Sequence, residues 1–300
     1  MAVIGLAAAT AAPAATAPGA STPRAAATAP PICQCDAFDA EVERLHAVFE
    51  SRGAGVAIPL DARAHAIFAT RINQTYLMAR CLLACDPALD RDLNPVRRLL
   101  AASAYKAREI GLAADEVAER LDAARTEMER CLELEPADPE CLTWHASVGG
   151  RLEQSSWNPM VLLALARSLL AEFRAARGDL APGHDLRDGA ATRGEASILL
   201  RAPRMLGGNP TAARLLMETA LQAPRFICGV SNRILLAAAR TRTGDHARGL
   251  AELRATVGAG LPSCALQRYE NAAALAEATR CLARIDADPA LVETWPDVCE

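Results

Sequence analysis

The sequence predicts an all-α protein of antiparallel helix hairpins, and three observations carry that expectation. AVILMFWYC residues make up 51% of the 300 residues while aromatics supply only 4%, so the apolar bulk is Ala and Leu, which favour helix over sheet. Apolar side chains recur at spacings of three and four, the period of one helix face, and no segment alternates with period two long enough to make a strand. Lys and Arg number 32 against 36 Asp and Glu, a net charge of −4. That balance argues against a general nucleic-acid binder, which needs a basic face. The apolar content is too high for disorder through most of the chain.

Start and stop signals divide the body into helices. Asp36 is a candidate cap for a first helix with Val42, Leu45, Val48 and Phe49 on one stripe, ending at Gly53. Asp61 caps a second, running to about Cys85 and stopped by Asp86-Pro87. Asn94-Pro95 reads as a cap followed by proline at the first helical position, with Gly111 closing that helix. From about Ala114 to Leu134, Val117, Leu121, Ala124, Met128 and Cys131 mark one face; Glu135-Pro136 ends it and Asp138-Pro139 starts the next. Asn158-Pro159 opens a strongly apolar helix to about Arg177, followed by a Gly/Asp/Pro-rich loop over 178–189. Helices are then expected from about Arg193 to Leu200, Pro210 to Gln222, Val230 to Thr241 and Asp245 to Val257. A last long one is capped by Ser263 and runs to Ile285.

The chain divides into a signal-like or unstructured Ala/Pro/Thr-rich segment (1–32), an N-terminal helical region (33–112), a helical-repeat region (113–286) and a C-terminal tail (287–300). Residues 1–30 hold fourteen Ala and a single charge, Arg24, too little large apolar surface to fold alone. Met1 to Leu6 and the Ala-rich stretch behind it resemble the apolar core and cleavage zone of a secretory signal, although the basic start is missing. No run reaches the length of a membrane span.

Ten cysteines, an even number, fit disulfides in a periplasmic or extracellular setting. The competing role is a small core residue, which suits Cys131 best. Proximity within hairpins suggests Cys131 with Cys141 across the 135–138 turn, Cys228 with Cys264 at the starts of helices on successive hairpins, and Cys281 with Cys299 tethering the tail. Sequence alone does not fix such connectivity. Cys33 and Cys35 with Cys81 and Cys85 allow disulfides, unlinked thiols or a four-thiolate Zn or Cu(I) site. Neither pair has C-x-x-C spacing, and no metal is assigned.

Above the helix level a register recurs. Ala124, Met128, Cys131 and Pro136 give small, large, small and closing proline; Ala213, Met217, Ala220 and Pro224 repeat it, and Gly249, Leu253 and Thr256 form a weaker copy. This order resembles the second helix of a tetratricopeptide repeat, in which small residues let two backbones approach and stacking of neighbouring hairpins makes the core. The bland reading is an irregular helical bundle. Over residues 115–258, the CLELEPADPECLTWHA junction, the helix opening at Trp157-Asn158-Pro159 and the segment RAPRMLGGNPTAARLLMETALQAPRF are similar to the T-component proteins of TRAP transporters. The shared positions are mainly structural. The loop before Arg193 is short and basic, the cysteines are extra, and residues 36–112 match nothing in that family. The resemblance implies an exported tetratricopeptide-like solenoid that docks a transporter's solute-binding subunit and is open to forming a homo-oligomer, and it transfers no catalytic residue.

Chemical motifs are few. No G-x-S-x-G, H-E-x-x-H, P-loop or Rossmann fingerprint occurs. Gly207-Gly208-Asn209-Pro210 reads as a positive-φ turn before a capped helix rather than a phosphate cradle. Trp144-His145 and His184-Asp185 are the histidines to weigh as general bases, but a base needs a nucleophile and an oxyanion site as well. No catalytic or cofactor-binding residue is assigned. Candidate partner or ligand contacts are Trp144, His145, Trp157, His184, Arg187 and Arg193; the mixed charge of the 177–193 loop fits a solvated connection or, on an inner surface, a contact for an anionic solute or a partner. The expected function is a noncatalytic exported scaffold binding a protein. The alternatives are a small-solute-binding module, favoured by a pocket lined by Trp144, Trp157 and the loop arginines, and a cysteine-based metal or redox protein.

Overall fold

In the computed structural model, which describes residues 35–53, 60–85, 93–152, 159–262 and 268–299, every regular element among the described residues is helical. In chain order they are α1 (Phe38–Glu50), α2 (Ala62–Ala84), α3 (Asn94–Tyr105), α4 (Ala114–Leu134), α5 (Pro139–Leu152), α6 (Pro159–Arg177), α7 (Leu186–Arg201), α8 (Pro210–Ala220), α9 (Val230–Arg242), α10 (His246–Ala259), α11 (Arg268–Ala287) and α12 (Trp295–Val298). Short 3₁₀ turns at Ser51–Gly53, Arg204–Leu206, Phe226–Cys228 and Pro289–Glu293 join or extend them. Each helix from α1 to α10 packs on the next. The odd-numbered helices also pack on one another in order, α1 on α3, then α5, α7, α9 and α11.

The recurring register explains how the pairs approach. Ala124, Met128 and Cys131 are buried on α4, Ala213, Met217 and Ala220 on α8, and Gly249, Leu253 and Thr256 on α10. A Cβ on Gly249 would lie 2.8 Å from the Ala237 carbonyl oxygen, so α9 and α10 meet backbone to backbone. Two larger cores result. One gathers α1 to α5 and includes Tyr269; the other gathers α7 to α11 with Trp295. Helix α6 sits where they join, its Leu169 and Phe173 packed with Ala146 and Ala191. Gly150 and Gly194 make room for it, because a Cβ at Gly150 would stand 3.2 Å from Leu169 and one at Gly194 would collide with the Phe173 ring.

The order of helices returns on itself. Tyr269, at the start of α11, stacks on Phe68 of α2 with ring centroids 3.8 Å apart, and its hydroxyl lies 2.8 Å from His65 Nδ1. Beside it Arg52 Nε donates to Glu270 Oε1 at 2.8 Å. The turn containing Gly53 sits against the α11 backbone, with room for a Cβ only 3.3 Å from Tyr269 N.

Several local expectations hold. Asp61 accepts from Ala64 N at 2.7 Å, Asp138 from Cys141 N at 2.7 Å and Asn209 from Ala212 N at 3.0 Å. Gly207 adopts φ +93°, the positive-φ turn expected before α8. Others are corrected. Asp36 lies in a 3₁₀ turn, and Ala37 stands at the α1 cap position without a side-chain bond. Asn94 is the first residue of α3, and its side-chain Oδ1 accepts from Arg97 Nη1 at 3.0 Å. Helix α7 begins at Leu186, inside the stretch read as loop. Gly189 interrupts it at φ +78°, and Asp185 takes the amide protons of Ala191 and Thr192, both at 3.1 Å. This single left-handed residue kinks the start of an otherwise continuous α7, which sequence periodicity does not register. Ser263, the expected cap of the last helix, lies outside the described residues.

Disulfides join Cys35 to Cys85, Cys131 to Cys141 and Cys281 to Cys299, with Cα separations of 5.3, 6.1 and 5.4 Å. Cys131 is therefore both a buried core residue and a bridged one, not the unlinked filler of the alternative reading. The bridge at Cys35 and Cys85 commits those two sulfurs to each other, which corrects the four-thiolate reading. Cys81 and Cys228 are disulfide-bonded too. Cys33 and Cys264 lie outside the described residues.

Two stability experiments follow from this packing. Replacing Cys281 and Cys299 together by Ala opens a loop of sequence separation 18. Chain entropy then sets a loss of about 3 kcal/mol, measured by denaturant unfolding. Gly189→Ala places a side chain at φ +78° and into the Phe226 ring. It is expected to lose about 2 kcal/mol or more by the same measurement.

Candidate functional site

The odd-numbered helices border a cavity of about 1210 Å³. Its lining includes residues from α1, α3, α5, α7 and α11, the face of α6 turned inward, and the turns before α7 and α9.

One wall is polar and largely paired within itself. Lys106 Nζ donates to Glu109 Oε2 at 2.9 Å, and Arg151 Nη2 stands 3.6 Å from the other oxygen of that carboxylate. The Arg151 guanidinium lies 4.3 Å over the Tyr105 ring, which meets Trp144 edge-on at 6.0 Å. Arg52 bonds Glu270 and also donates to the Phe49 carbonyl at 3.0 Å. The wall continues through α11, where Asn271 accepts from Val230 N at 2.9 Å and donates to the Cys228 carbonyl at 3.0 Å. Next to it Asn232 donates to the Phe226 carbonyl at 2.6 Å and accepts from Arg193 Nη1 at 3.2 Å. These side chains come from residues up to 218 positions apart, so only the packing of successive helices assembles them.

The opposite wall is apolar. Leu162, Leu165, Ala166, Leu169 and Phe173 of α6 face the cavity with Ile198 and Leu206. Their spacing of three or four is one helix stripe. Leu169 and Phe173 are buried in protein, whereas Leu162 and Leu165 are only partly covered.

Charge in the polar wall is tuned by these neighbours. Burial works against the Glu270 carboxylate, but Lys106 and Arg52 outweigh it and hold its pKa below the usual range. Burial pushes the Tyr269 hydroxyl up, with the Glu109 and Glu270 charges adding to the effect. Burial opposes the Arg151 charge, yet Tyr105 and Glu109 more than compensate and keep the guanidinium protonated.

The sequence-predicted contacts divide. Trp144, His184 and Arg193 line the cavity. Trp157 and the side chain of Arg187 lie outside the described residues, although the Arg187 backbone belongs to the first turn of α7. His145 instead bridges α5 to α6, its Nδ1 2.7 Å from Glu172 Oε2, while Ser168 donates to Glu172 Oε1 at 2.9 Å. The carboxylate stands between imidazole and hydroxyl, so His145 does not face that hydroxyl. The His184-Asp185 pair also changes meaning. Asp185 is buried, and its carboxylate receives the Ala191 and Thr192 amides and the Thr192 hydroxyl, so it organises the helix kink. Arg177 turns to Glu195, at 3.4 Å.

Sequence reasoning did not single out Arg52, Lys106, Arg151, Arg201, Arg225 or Glu270 as lining residues. The available signal was only that they are charges at or near helix ends, weak against a background of 32 Lys and Arg and 36 Asp and Glu.

No protein-family model, no curated protein and no solved structure matches this chain. The likeness to T-component proteins therefore rests on the residues that suggested it.

The Arg52–Glu270 pair carries a pH signature. Because the folded pKa of Glu270 is lowered, its stabilisation is complete above the unfolded value of about 4.3 and is lost as pH falls through the folded one. Glu270→Gln is expected to lose about 1.5–3 kcal/mol at pH 7 and to flatten the acid limb of a stability–pH curve. Equal acid dependence in both proteins would remove this role.

Proposed function

We propose that this is a noncatalytic helical-repeat binding protein, its hairpins stacked in tetratricopeptide-like series, that holds a small ligand in the cavity among its inner helices. The observation that carries the reading is the cavity itself. It has about 1210 Å³, at or above the ~300–1,000 Å³ common for small-molecule sites, with Trp144, His184 and Arg193 on its lining. Series packing of α1, α3, α5, α7, α9 and α11 supports the repeat reading, since stacked hairpins place one helix of each pair on a common inner face. The disulfides support an oxidising, extracytoplasmic compartment. Among the described residues no helix is long and apolar enough to cross a membrane.

A second reading keeps the protein partner, in its most specific form the solute-binding subunit of a TRAP transporter. Met160 and Val161, 71% and 39% exposed at the start of α6, favour it because they offer apolar surface next to the cavity rim. The two readings separate in one experiment. Protein isolated from its native envelope fraction and weighed by native mass spectrometry is expected to carry a small-molecule mass that disappears on denaturation. A bare chain that instead co-purifies with one protein, and loses it on Met160→Glu, would replace the first reading by the second.

A further inference from the structure

The bonding state of the groups on the cavity lining narrows the ligand class, an inference that rests on the small-ligand reading above. We propose that the cavity takes an uncharged amphiphile: an alkyl body along the α6 wall, with a hydroxyl-bearing head at Ser147 of α5 and Ser197 of α7.

Arg and Lys outnumber Asp and Glu on the lining, but each of these charges is either engaged or open to water. Arg52 is paired with Glu270 at 2.8 Å, and Lys106 and Arg151 share Glu109 at 2.9 and 3.6 Å. Arg193 donates to Asn232 at 3.2 Å and has a further interaction, and Arg201 is engaged as well. Asp185 is buried and receives two backbone amides and a hydroxyl. The two that remain, Glu50 at the end of α1 and Arg225 on the connection between α8 and α9, are exposed and opposite in sign. An ionised head entering this space gives up hydration that is costly to lose. It recovers the loss only by drawing a charged side chain away from its present partner, which then stands unpaired. A hydroxyl loses far less on leaving water, and one or two hydrogen bonds offset that loss.

Uncharged hydrogen-bonding groups on the same lining keep capacity in hand. The Ser147 hydroxyl donates to the Thr143 carbonyl at 2.7 Å, so its oxygen still accepts. Ser197 is partly exposed on the lining, and its hydroxyl has no partner among the described residues. Their helices, α5 and α7, pack on one another. The α6 side supplies the apolar surface. Leu162, Leu165, Leu169 and Phe173 form one stripe along the cavity. Leu162 and Leu165 are only partly covered by protein, so an alkyl chain laid against them removes apolar surface from water. A small polyol leaves that stripe wet, and a plain hydrocarbon leaves the serine hydroxyls unused. A molecule with both parts satisfies both.

Isothermal titration of the intact, disulfide-bonded chain at pH 8 tests this with defined probes: hexanol, octanol, 1-octanoylglycerol, octanoate, octyltrimethylammonium and glycerol. Octanol and octanoylglycerol are each expected to bind at least about tenfold more tightly than octanoate and the ammonium probe, and glycerol not measurably. Octanol is expected to exceed hexanol about fifteenfold, two methylenes at about fourfold each. Ser197→Ala is expected to weaken octanol and octanoylglycerol about fivefold. Leu162→Ala, which keeps helix propensity, is expected to weaken them about tenfold, with thermal unfolding checking that each variant stays folded. Octanoate or the ammonium probe matching octanol overturns the uncharged head and leaves the cavity reading intact. Glycerol matching octanoylglycerol overturns the alkyl body, and neutral probes indifferent to both substitutions overturn the placement. If no probe binds while protein from its native envelope carries a small-molecule mass, the ligand class is wrong and the cavity reading stands. If no probe binds and no such mass is found, the cavity reading itself fails.

Discussion

Backbone-to-backbone approach of neighbouring helices is the constraint on which the rest of this structure depends. With so few aromatic side chains, large interlocking groups cannot fill wide gaps between elements, so the helices must come close. Alanine and glycine permit it. Gly249 lets α10 rest on α9, and Gly150 and Gly194 let α6 settle between α5 and α7. Each substitution by a larger residue would push a pair apart, and because the pairs lean on one another, displacement at one crossing alters the next. The cavity is bounded by the same crossings, and Gly150 and Gly194 lie on its lining, so small residues set its width.

Much of the helical architecture was legible because its signals are local. Asp61, Asp138 and Asn209 cap through hydrogen bonds three residues ahead, a relation visible in any short window. The buried face of α4 follows from spacing alone. Where reading failed, a competing interaction had intervened. Asp36 falls in a 3₁₀ turn next to a bridged cysteine, and Asn94 prefers Arg97 to the helix amides. The α7 boundary was obscured because Asp185 acts across the Gly189 kink, six and seven residues ahead, beyond any standard capping pattern.

The candidate site was legible only in fragments. Trp144, His184 and Arg193 attract notice as an aromatic, an imidazole and a cation in or near a loop. Their companions do not, since Arg52, Lys106, Arg151 and Glu270 are ordinary charges at helix ends until packing brings them to one wall. What converts them into a surface is the mutual neutralisation of Arg52 with Glu270 and of Lys106 and Arg151 with Glu109. Charge that is matched in this way contributes polarity and order without a strong net field.

The meeting of α11 with the first turns of the chain has a consequence for mechanics. Each described disulfide lies to one side of that junction: within the first two helices, across the α4–α5 turn, or between α11 and the end of the chain. Across the junction itself the described contacts include a ring stack, a tyrosine hydroxyl, one ion pair and the close approach of the Gly53 turn to the α11 backbone. Thermal fluctuation can part such contacts and remake them, whereas the covalent clamps hold unless chemically reduced. The molecule is thus a hoop with riveted segments, joined at this seam by contacts that need no chemical reduction to part.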